Sequence, residues 1–417
     1  MDQFSILSNK IHTTKATVGV IGTGYVGSSV AKETASAGYQ TFGFDLDKKK
    51  VAEINNLKIK NLSAHIKKDL LVDCDIICIC VPTPIYKDHS PNLKILKNTI
   101  QQVSNYLKKG MMVVIESSVA PGTTRGLILP ILQQSKLTAG KDFFLSFSPE
   151  RIDPGNKKFT MKNIPKIVSG LDENSLKLVI QFYSIFIEKV VQISSLEAAE
   201  MTKVLENVFR FVNISLINEI ADYTRKLGIN IWEVIEAAST KPYGFLPHYP
   251  GPGIGGDCIP VLSYYLLDSA KRNNTLLRMV NAAAKINEMQ PKKVIDLALK
   301  ILNGKTRKNN VKSEVLLIGV AYKPGVADLR ESATLKIWDM LEKQGISVSY
   351  HDPYVSHVNG FSSKSLDPKN LASKDLIIIT TAHSNIPYQM LVDSKKPLID
   401  TRNTLQGITS TNIFQLL

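Results

Sequence analysis

Residues 17–27 read TVGVIGTGYVG, a short β-branched run that breaks into glycines. A G-x-G-x-x-G string by itself is weak evidence. Here a predicted strand leads into Gly22, Gly24 and Gly27, and a helical stretch closed by Gly38 follows. The next apolar run, YQTFGFD, ends on Asp45, about twenty residues further on. Strand, glycine turn, helix, strand and acid in that order form the dinucleotide fingerprint. The glycines let the backbone approach a pyrophosphate seated at a positive helix end. Asp45 would accept hydrogen bonds from ribose hydroxyls and repel a 2′-phosphate, so the expected cofactor is NAD rather than NADP. Tyr25 and Val26 sit in the same turn. Lys50 reads either as a phosphate-side contact or as an ordinary solvated lysine.

The alternation continues outward from this stretch. DIICICV (75–81), a helical run ending in YLKKG, MMVVIES and FFLSFSPE (143–150) are apolar strands and a helix in turn. Strands apolar along their whole length belong to a parallel sheet covered on both faces. After residue 195 the pattern changes. SLEAAEMTKVLENVFRFVNISLINEIADYTRKLG contains no proline and no glycine before its end, and predicts one helix of roughly 50 Å, at 1.5 Å per residue. Its apolar circumference asks for burial on more than one side, which suits a homodimer or larger homo-oligomer. Further helices are expected around 231–239, 262–272 and 276–302. NGKTRKNNVKSE (303–314) reads as a linker, and EVLLIGVAYKPG opens a second alternating unit. The expected organisation is α/β: a Rossmann domain over 1–195, a central long-helix region over 196–303, and a smaller Rossmann-like domain over 312–417.

The chain has 417 residues, 44% hydrophobic and 21% charged, which is ordinary for a globular protein. No apolar run is long enough to span a bilayer, and MDQFSILSNKIHTTK lacks the order of a secretory signal. A cytoplasmic location and no membrane partner follow as expectations. The net charge of +14 invites a nucleic-acid reading, but the lysines are scattered without an arginine-rich arm, so no nucleic-acid partner is expected. The four cysteines fit a reducing compartment. Cys74, Cys78 and Cys80 lack metal-ligand spacing and read as buried thiols; no metal is expected.

Cys258 differs from these three. It stands in GPGIGGDCIP (251–260), after four glycines, and a helix is expected just after it. A helix N-terminus favours the thiolate, so Cys258 is a candidate nucleophile as well as a candidate structural thiol. Lys203 and Asn207 stand four residues apart on the long helix, among Val204, Leu205, Val208 and Phe209. They either stabilise an oxyanion together or, for the lysine, snorkel to solvent. Glu150 follows a strand end, where open α/β sheets collect their active groups, with a surface pair to Arg151 as the alternative.

Taken together these residues resemble the nucleotide-sugar 6-dehydrogenase family. The motifs are GTGYVG, VPTP (81–84), ESSVAPGTT (116–124), SPE (148–150), AEMTKVLENVFR (199–210), GPGIGGDC (251–258), AYKPGVADLRES (321–332) and IDTRN (399–403). The resemblance implies an NAD-binding domain, a central dimerisation region and a C-terminal UDP-binding domain. It implies that Cys258 traps an aldehyde as a thiohemiacetal, then a thioester, in a four-electron oxidation of a sugar C6 to a carboxylate. Lys203 and Asn207 would hold the oxyanion, Glu150 would be the acid-base, and Ser118, where the family usually has threonine, would lie near the reacting water. Pro82, Thr83 and Ser118 join the cofactor set, with Arg330 on the cofactor side. Arg151, Tyr249, Gly255, Lys323 and Arg402 join Glu150, Lys203 and Asn207 as substrate contacts. The loop glycines would let the chain wrap the sugar closely.

Two departures from the family pattern stand out. Leu262 occupies the position, four after the cysteine, where the family has an aspartate thought to serve thioester hydrolysis. IDPGN (152–156) replaces a second glutamate found in many UDP-glucose enzymes. SPERIDPGN, KPYGFLPHYPGPG and CIP look more like the branch acting on UDP-N-acetylhexosamines, especially UDP-N-acetylglucosamine. UDP-glucose is the alternative substrate, and a slowed or non-turnover homologue the alternative activity.

Overall fold

A computed structural model describes residues 2–156, 158–303 and 312–416. The expected linker over 303–314 lies almost wholly outside the described residues. The chain forms two compact units: Met1–Glu206 with Tyr264–Thr275, and Asn207–Ser263 with Leu276–Leu417.

The first unit is built on eight strands, β1 Thr17–Ile21, β2 Gln40–Phe44, β3 Leu62–His65, β4 Ile76–Ile79, β5 Met112–Ile115, β6 Phe144–Phe147, β7 Lys166–Gly170 and β8 Val190–Gln192. Their spatial order is β3-β2-β1-β4-β5-β6-β7-β8. All neighbours are parallel except β6 and β7. The order reverses between β1 and β4, the crevice where dinucleotides sit in such sheets. The helices are α1 Gln3–His12, α2 Tyr25–Ser36, α3 Lys48–Asn56, α4 Lys94–Tyr106, a short α5 Leu129–Leu132, and α6 Glu173–Ser184. Successive strand residues feed opposite faces: Ile77 and Ile79 join one core with Val113 and Phe147, while Ile76 and Cys78 join another with Val20 and Phe182. Period two with both faces apolar explains why these strands read as unbroken hydrophobic runs. Cys74 and Cys78 are buried, and burial pushes Cys74 up to about 12 and Cys78 well above its ordinary value. Both are inert packing thiols.

Among the elements that carry no mark in the sequence reading are α1, α6 and the strands β7 and β8. Asp2 starts α1 by accepting from Ser5 N at 2.7 Å, and Leu7 and Ile11 bury themselves in the core that α6 also covers. Lys10 then pairs with Asp75 at 2.7 Å, at the foot of β4.

Helix α7, Leu196–Lys226, is the single long helix that its sequence predicts, and it runs from the first unit into the second. Glu197 in its first turn and Arg225 and Lys226 in its last suit the helix dipole. In the second unit follow α8 Ile231–Ser239, the start of α9 Ile259–Arg272, and α10 Arg278–Asn303. The second sheet has β9 Glu314–Ile318, β10 Ser347–His351, β13 Leu376–Ile379, β14 Leu398–Asp400 and β15 Ile413–Gln415; β11 His357–Val358 and β12 Phe361–Ser362 form a separate hairpin. The order β10-β9-β13-β14-β15 is parallel throughout. This is the other common doubly wound order, with its own crevice between β9 and β13. Helix α11, Ala333–Lys343, covers one face with Ile337, Trp338 and Leu341. Among the described residues no helix is long and apolar enough to cross a membrane.

Candidate active site

In the first unit, the glycine turn divides its labour. Gly22 has φ +88°, and a Cβ there would lie 2.7 Å from the Cys80 carbonyl oxygen. At Gly27 a Cβ would overlap the Gly22 carbonyl, so only glycine lets α2 close on β1. Gly24, by contrast, faces open space and starts α2 without a side-chain cap. Its neighbourhood offers unsatisfied N–H groups to an anion. Asp45 takes Thr23 N on Oδ2 at 2.8 Å and Asp47 N on Oδ1 at 3.0 Å. Oδ2 also accepts from the Thr23 hydroxyl at 3.3 Å, so the acceptor capacity left for a ribose hydroxyl is on Oδ1. Lys50 stands 3.9 Å from Asp45, a loose pair. Thr83 is buried and donates to the Ser118 carbonyl at 2.7 Å, while Tyr265 donates to the Thr83 carbonyl at 3.0 Å. These bonds stitch the 81–84 and 116–124 loops together at the carboxyl ends of β4 and β5. The residues fit a bound dinucleotide.

Glu150 follows β6 and is buried. Its Oε1 accepts from Arg151 N and Ile152 N at 2.6 and 2.7 Å, and its Oε2 from Lys166 Nζ at 2.8 Å. The contact with Arg151 is thus through its backbone, rather than a surface ion pair. Arg151 turns its guanidinium to Glu206 at 2.7 Å and to the Pro165 carbonyl at 2.8 Å. Two further acids of this unit, Glu116 and Glu200, are absent from the sequence reading. Glu116 accepts from Lys166 at 2.7 Å and from the Tyr183 hydroxyl at 2.7 Å. Glu200, on α7, accepts from Gly122 N and Thr124 N at 2.5 and 2.7 Å, and burial raises it to about 7. One turn on, Lys203 is buried, and Asn207 a turn later is also buried, with no hydrogen-bond partner for its Nδ2 among the described residues. A buried amide without a partner is costly unless something else satisfies it.

In the second unit, Cys258 is exposed, and α9 begins at the next residue. Leu262 is fully buried, its N–H bonded back to the Cys258 carbonyl at 3.2 Å, so that turn presents no carboxylate. The acid nearest in sequence is Asp257. It pairs with Arg330, which is also forked onto Asp328 at 2.6 to 3.1 Å. The Arg330 carbonyl accepts from Gly256 N at 2.9 Å. Arg330, expected on the cofactor side, here clamps the cysteine loop.

The loop glycines differ from expectation in what they make room for. Cβ atoms at Gly255 and Gly256 would lie 2.8 Å from the Glu331 carbonyl and from the Tyr322 ring, and one at Gly253 would lie 3.0 Å from Ala333. At Gly251 a Cβ would overlap the Arg402 guanidinium. Each absent side chain therefore makes way for protein, and close packing of the loop on residues 322–333 and 402 is what requires glycine. Two buried asparagines, Asn218 of α7 and Asn287 of α10, fix the loop further by accepting from Gly251 N and Ile254 N at 2.9 and 2.7 Å. Isolated asparagines inside helices give no sequence signal. Arg402 donates through Nε to the Thr380 carbonyl at 3.0 Å; burial lowers it to about 10, so it stays charged at neutral pH. Lys323 lies 5.9 Å from the Tyr322 ring centroid, in a loop held by Asp352 and His383. Tyr249 is exposed and stacks on Trp232 at 5.6 Å. Among the described residues no His, Cys, Asp and Glu cluster suits a metal.

Comparison with known proteins matches three family models in chain order. They are the NAD binding domain of the UDP-glucose/GDP-mannose dehydrogenase family over residues 16–187, its central domain over 197–289, and its UDP binding domain over 316–407. A UDP-N-acetyl-D-mannosamine dehydrogenase of Pyrococcus horikoshii is 31% identical, covering 93% of this chain and 96% of its own. A UDP-N-acetyl-D-glucosamine 6-dehydrogenase of Pseudomonas aeruginosa is 33% identical, covering 88% and 90%. The solved structure of the Pyrococcus horikoshii UDP-D-ManNAc dehydrogenase superposes with TM-score 0.87 at 28% identity, over 96% of this chain and 99% of the other.

Proposed function

Since the chain belongs to the UDP-glucose/GDP-mannose dehydrogenase family and is an NAD-dependent UDP-sugar dehydrogenase, we propose that it oxidises the C6 hydroxymethyl of a UDP-N-acetylhexosamine to the carboxylate, with Cys258 as the covalent nucleophile. UDP-N-acetylglucosamine is the substrate the SPERIDPGN and KPYGFLPHYPGPG motifs favour. Relatives named for the mannosamine and for the glucosamine sugar match at similar identity, and support the acetamido class. The observation that carries the covalent route is an exposed Cys258 at the first turn of α9, on a loop pinned by two asparagines and Arg330.

NAD supplies the chemistry of accepting a hydride from C6, once at the alcohol stage and once at the thiohemiacetal stage. The remaining steps fall to side chains. Cys258 adds its sulfur to the aldehyde carbon and holds the intermediate against escape. Loss of the second hydride leaves a thioester, and water attacks its carbon to release the acid and the thiol. Lys203 and the open N–H of Asn207 stabilise the oxyanion. Glu150 takes the proton of the attacking water, with Ser118 near that water. Lys323 and Arg402 hold the anionic nucleotide, with Arg151, Tyr249 and Gly255 nearer the sugar. On the cofactor side, Asp45 takes the ribose and the Gly24 turn the pyrophosphate, with Tyr25, Val26, Lys50, Pro82 and Thr83 around it. The working form is a homodimer or larger homo-oligomer in the cytoplasm.

NADH formation with UDP-N-acetylglucosamine, UDP-N-acetylmannosamine, UDP-glucose and UDP-galactose tests the reading. Two NADH per acid are expected with an acetamido sugar, and Cys258→Ser should form no free acid. One NADH per product, or activity confined to UDP-glucose, would overturn it. A second reading rests on buried Leu262: hydrolysis is slow and the thioester accumulates. Intact mass after mixing with NAD and sugar would then show a lasting adduct on Cys258.

A further inference from the structure

Lys166 stands at the first position of β7, with its ammonium 2.8 Å from Glu150 and 2.7 Å from Glu116. Glu116 directly follows β5, and Tyr183 reaches it from α6. All four side chains are more than nine-tenths buried. Lys166 also lies 5.2 Å over the Tyr183 ring. Two acids and one base in a dry site are costly unless the cluster is neutral and its hydrogen bonds are complete. The count of acceptors shows where the opening is. Oε1 of Glu150 already receives two backbone N–H groups, and Oε2 receives only Lys166. A carboxylate offers about four lone-pair sites, so the one left open is on Oε2, beside the ammonium.

We propose that Lys166 is the positioning residue for the acid-base step assigned to Glu150: its ammonium pins Oε2 and sets where the open lone pair points. This rests on the reading of Glu150 given above. Other groups facing the pair are the thiols of Cys78 and Cys80 on the β4 side, and Tyr25 from the glycine turn. Burial pushes both thiols up, so neither contributes charge. Burial also pushes both carboxyls up; Lys166 and the two amides overcome this at Glu150, whereas Glu116 remains raised.

The test is the pH profile of kcat with whichever UDP-sugar is turned over, using full-length protein. Glu150→Gln comes first: loss of turnover and of the acid limb identifies that limb with Glu150, and a wild-type profile would sink the role of Glu150 rather than that of Lys166. Lys166→Met should move the acid limb up by at least one pH unit with KM for NAD within twofold. A limb left in place, once assigned to Glu150, overturns the proposal. If Lys166→Met does not fold, Lys166→Arg decides. It keeps the charge with a different reach, so the limb should hold while kcat falls at least fivefold; an unchanged kcat counts against the positioning role.

Discussion

The side chain that Gly251 lacks would occupy the place of the Arg402 guanidinium, while its backbone N–H is held by Asn218 Oδ1 at 2.9 Å. The loop can retreat only by breaking that buried hydrogen bond. Gly251→Ala therefore displaces Arg402 from the place where it is proposed to meet the nucleotide. The expected result is a rise of about tenfold or more in KM for the UDP-sugar, about 1.4 kcal/mol or more, with KM for NAD unchanged. Steady-state kinetics with each substrate varied in turn checks this, and an equal rise in both KM values would refute it.

Among the described residues Arg330 is the cation paired with Asp257, and it lies near Cys258. Burial pushes Asp257 up while Arg330 pulls it down. Replacing Arg330 by Met leaves two acids beside the thiol and removes the positive charge. Alkylation of Cys258 by iodoacetamide at pH 7 should slow by about tenfold, the effect of roughly one pKa unit. The other three cysteines are buried or raised and serve as internal controls. An unchanged rate would show that the clamp is mechanical only.

How far the sequence could be read follows from the range of each signal. GTGYVG and Asp45 work because the turn, the strand before it and the acid after it are neighbours in the chain, so local order specifies β1, α2 and β2. The long helix was legible for the same reason, as an unbroken run without proline or glycine. The cysteine loop was legible as a site, but not in what its glycines do. Their Cβ directions meet Tyr322, Glu331, Ala333 and Arg402, all far along the chain. Lys166 looked like any strand-end lysine because its partners, Glu116 and Glu150, come from two other strand ends. Helix α1 was missed because its stability comes from Leu7 and Ile11 in a core built mostly by later residues.

Glu200 sets a pH dependence of stability whose sign is opposite to that of most carboxylates. Burial raises it to about 7, above its ordinary 4.5. The folded state thus holds its proton where the unfolded chain has lost it. Stability from this group is present below about pH 4.5 and declines as pH rises toward 7, by roughly 3 kcal/mol in total. Glu200→Gln cannot titrate. Its thermal midpoint relative to wild type should be higher at pH 8 than at pH 5; a difference independent of pH would refute the shift.

The outer face of α7 makes the oligomer testable. Phe209, Leu216, Ile220 and Tyr223 are all exposed, Tyr223 by 63%. Their spacing of seven, four and three residues keeps them on one stripe of the helix. Such a stripe on a lone chain is an unpaid hydrophobic cost, and a second copy of the same helix is the simplest cover, since a two-fold interface matches one patch to itself. Light scattering should give at least twice the chain mass for the wild-type protein. Leu216→Glu with Tyr223→Lys on the same chain places charges in the middle of the stripe and should yield the single-chain mass with helix content retained by circular dichroism. A wild-type protein that runs as a monomer, or a double variant that still pairs, would assign that stripe to something other than self-association.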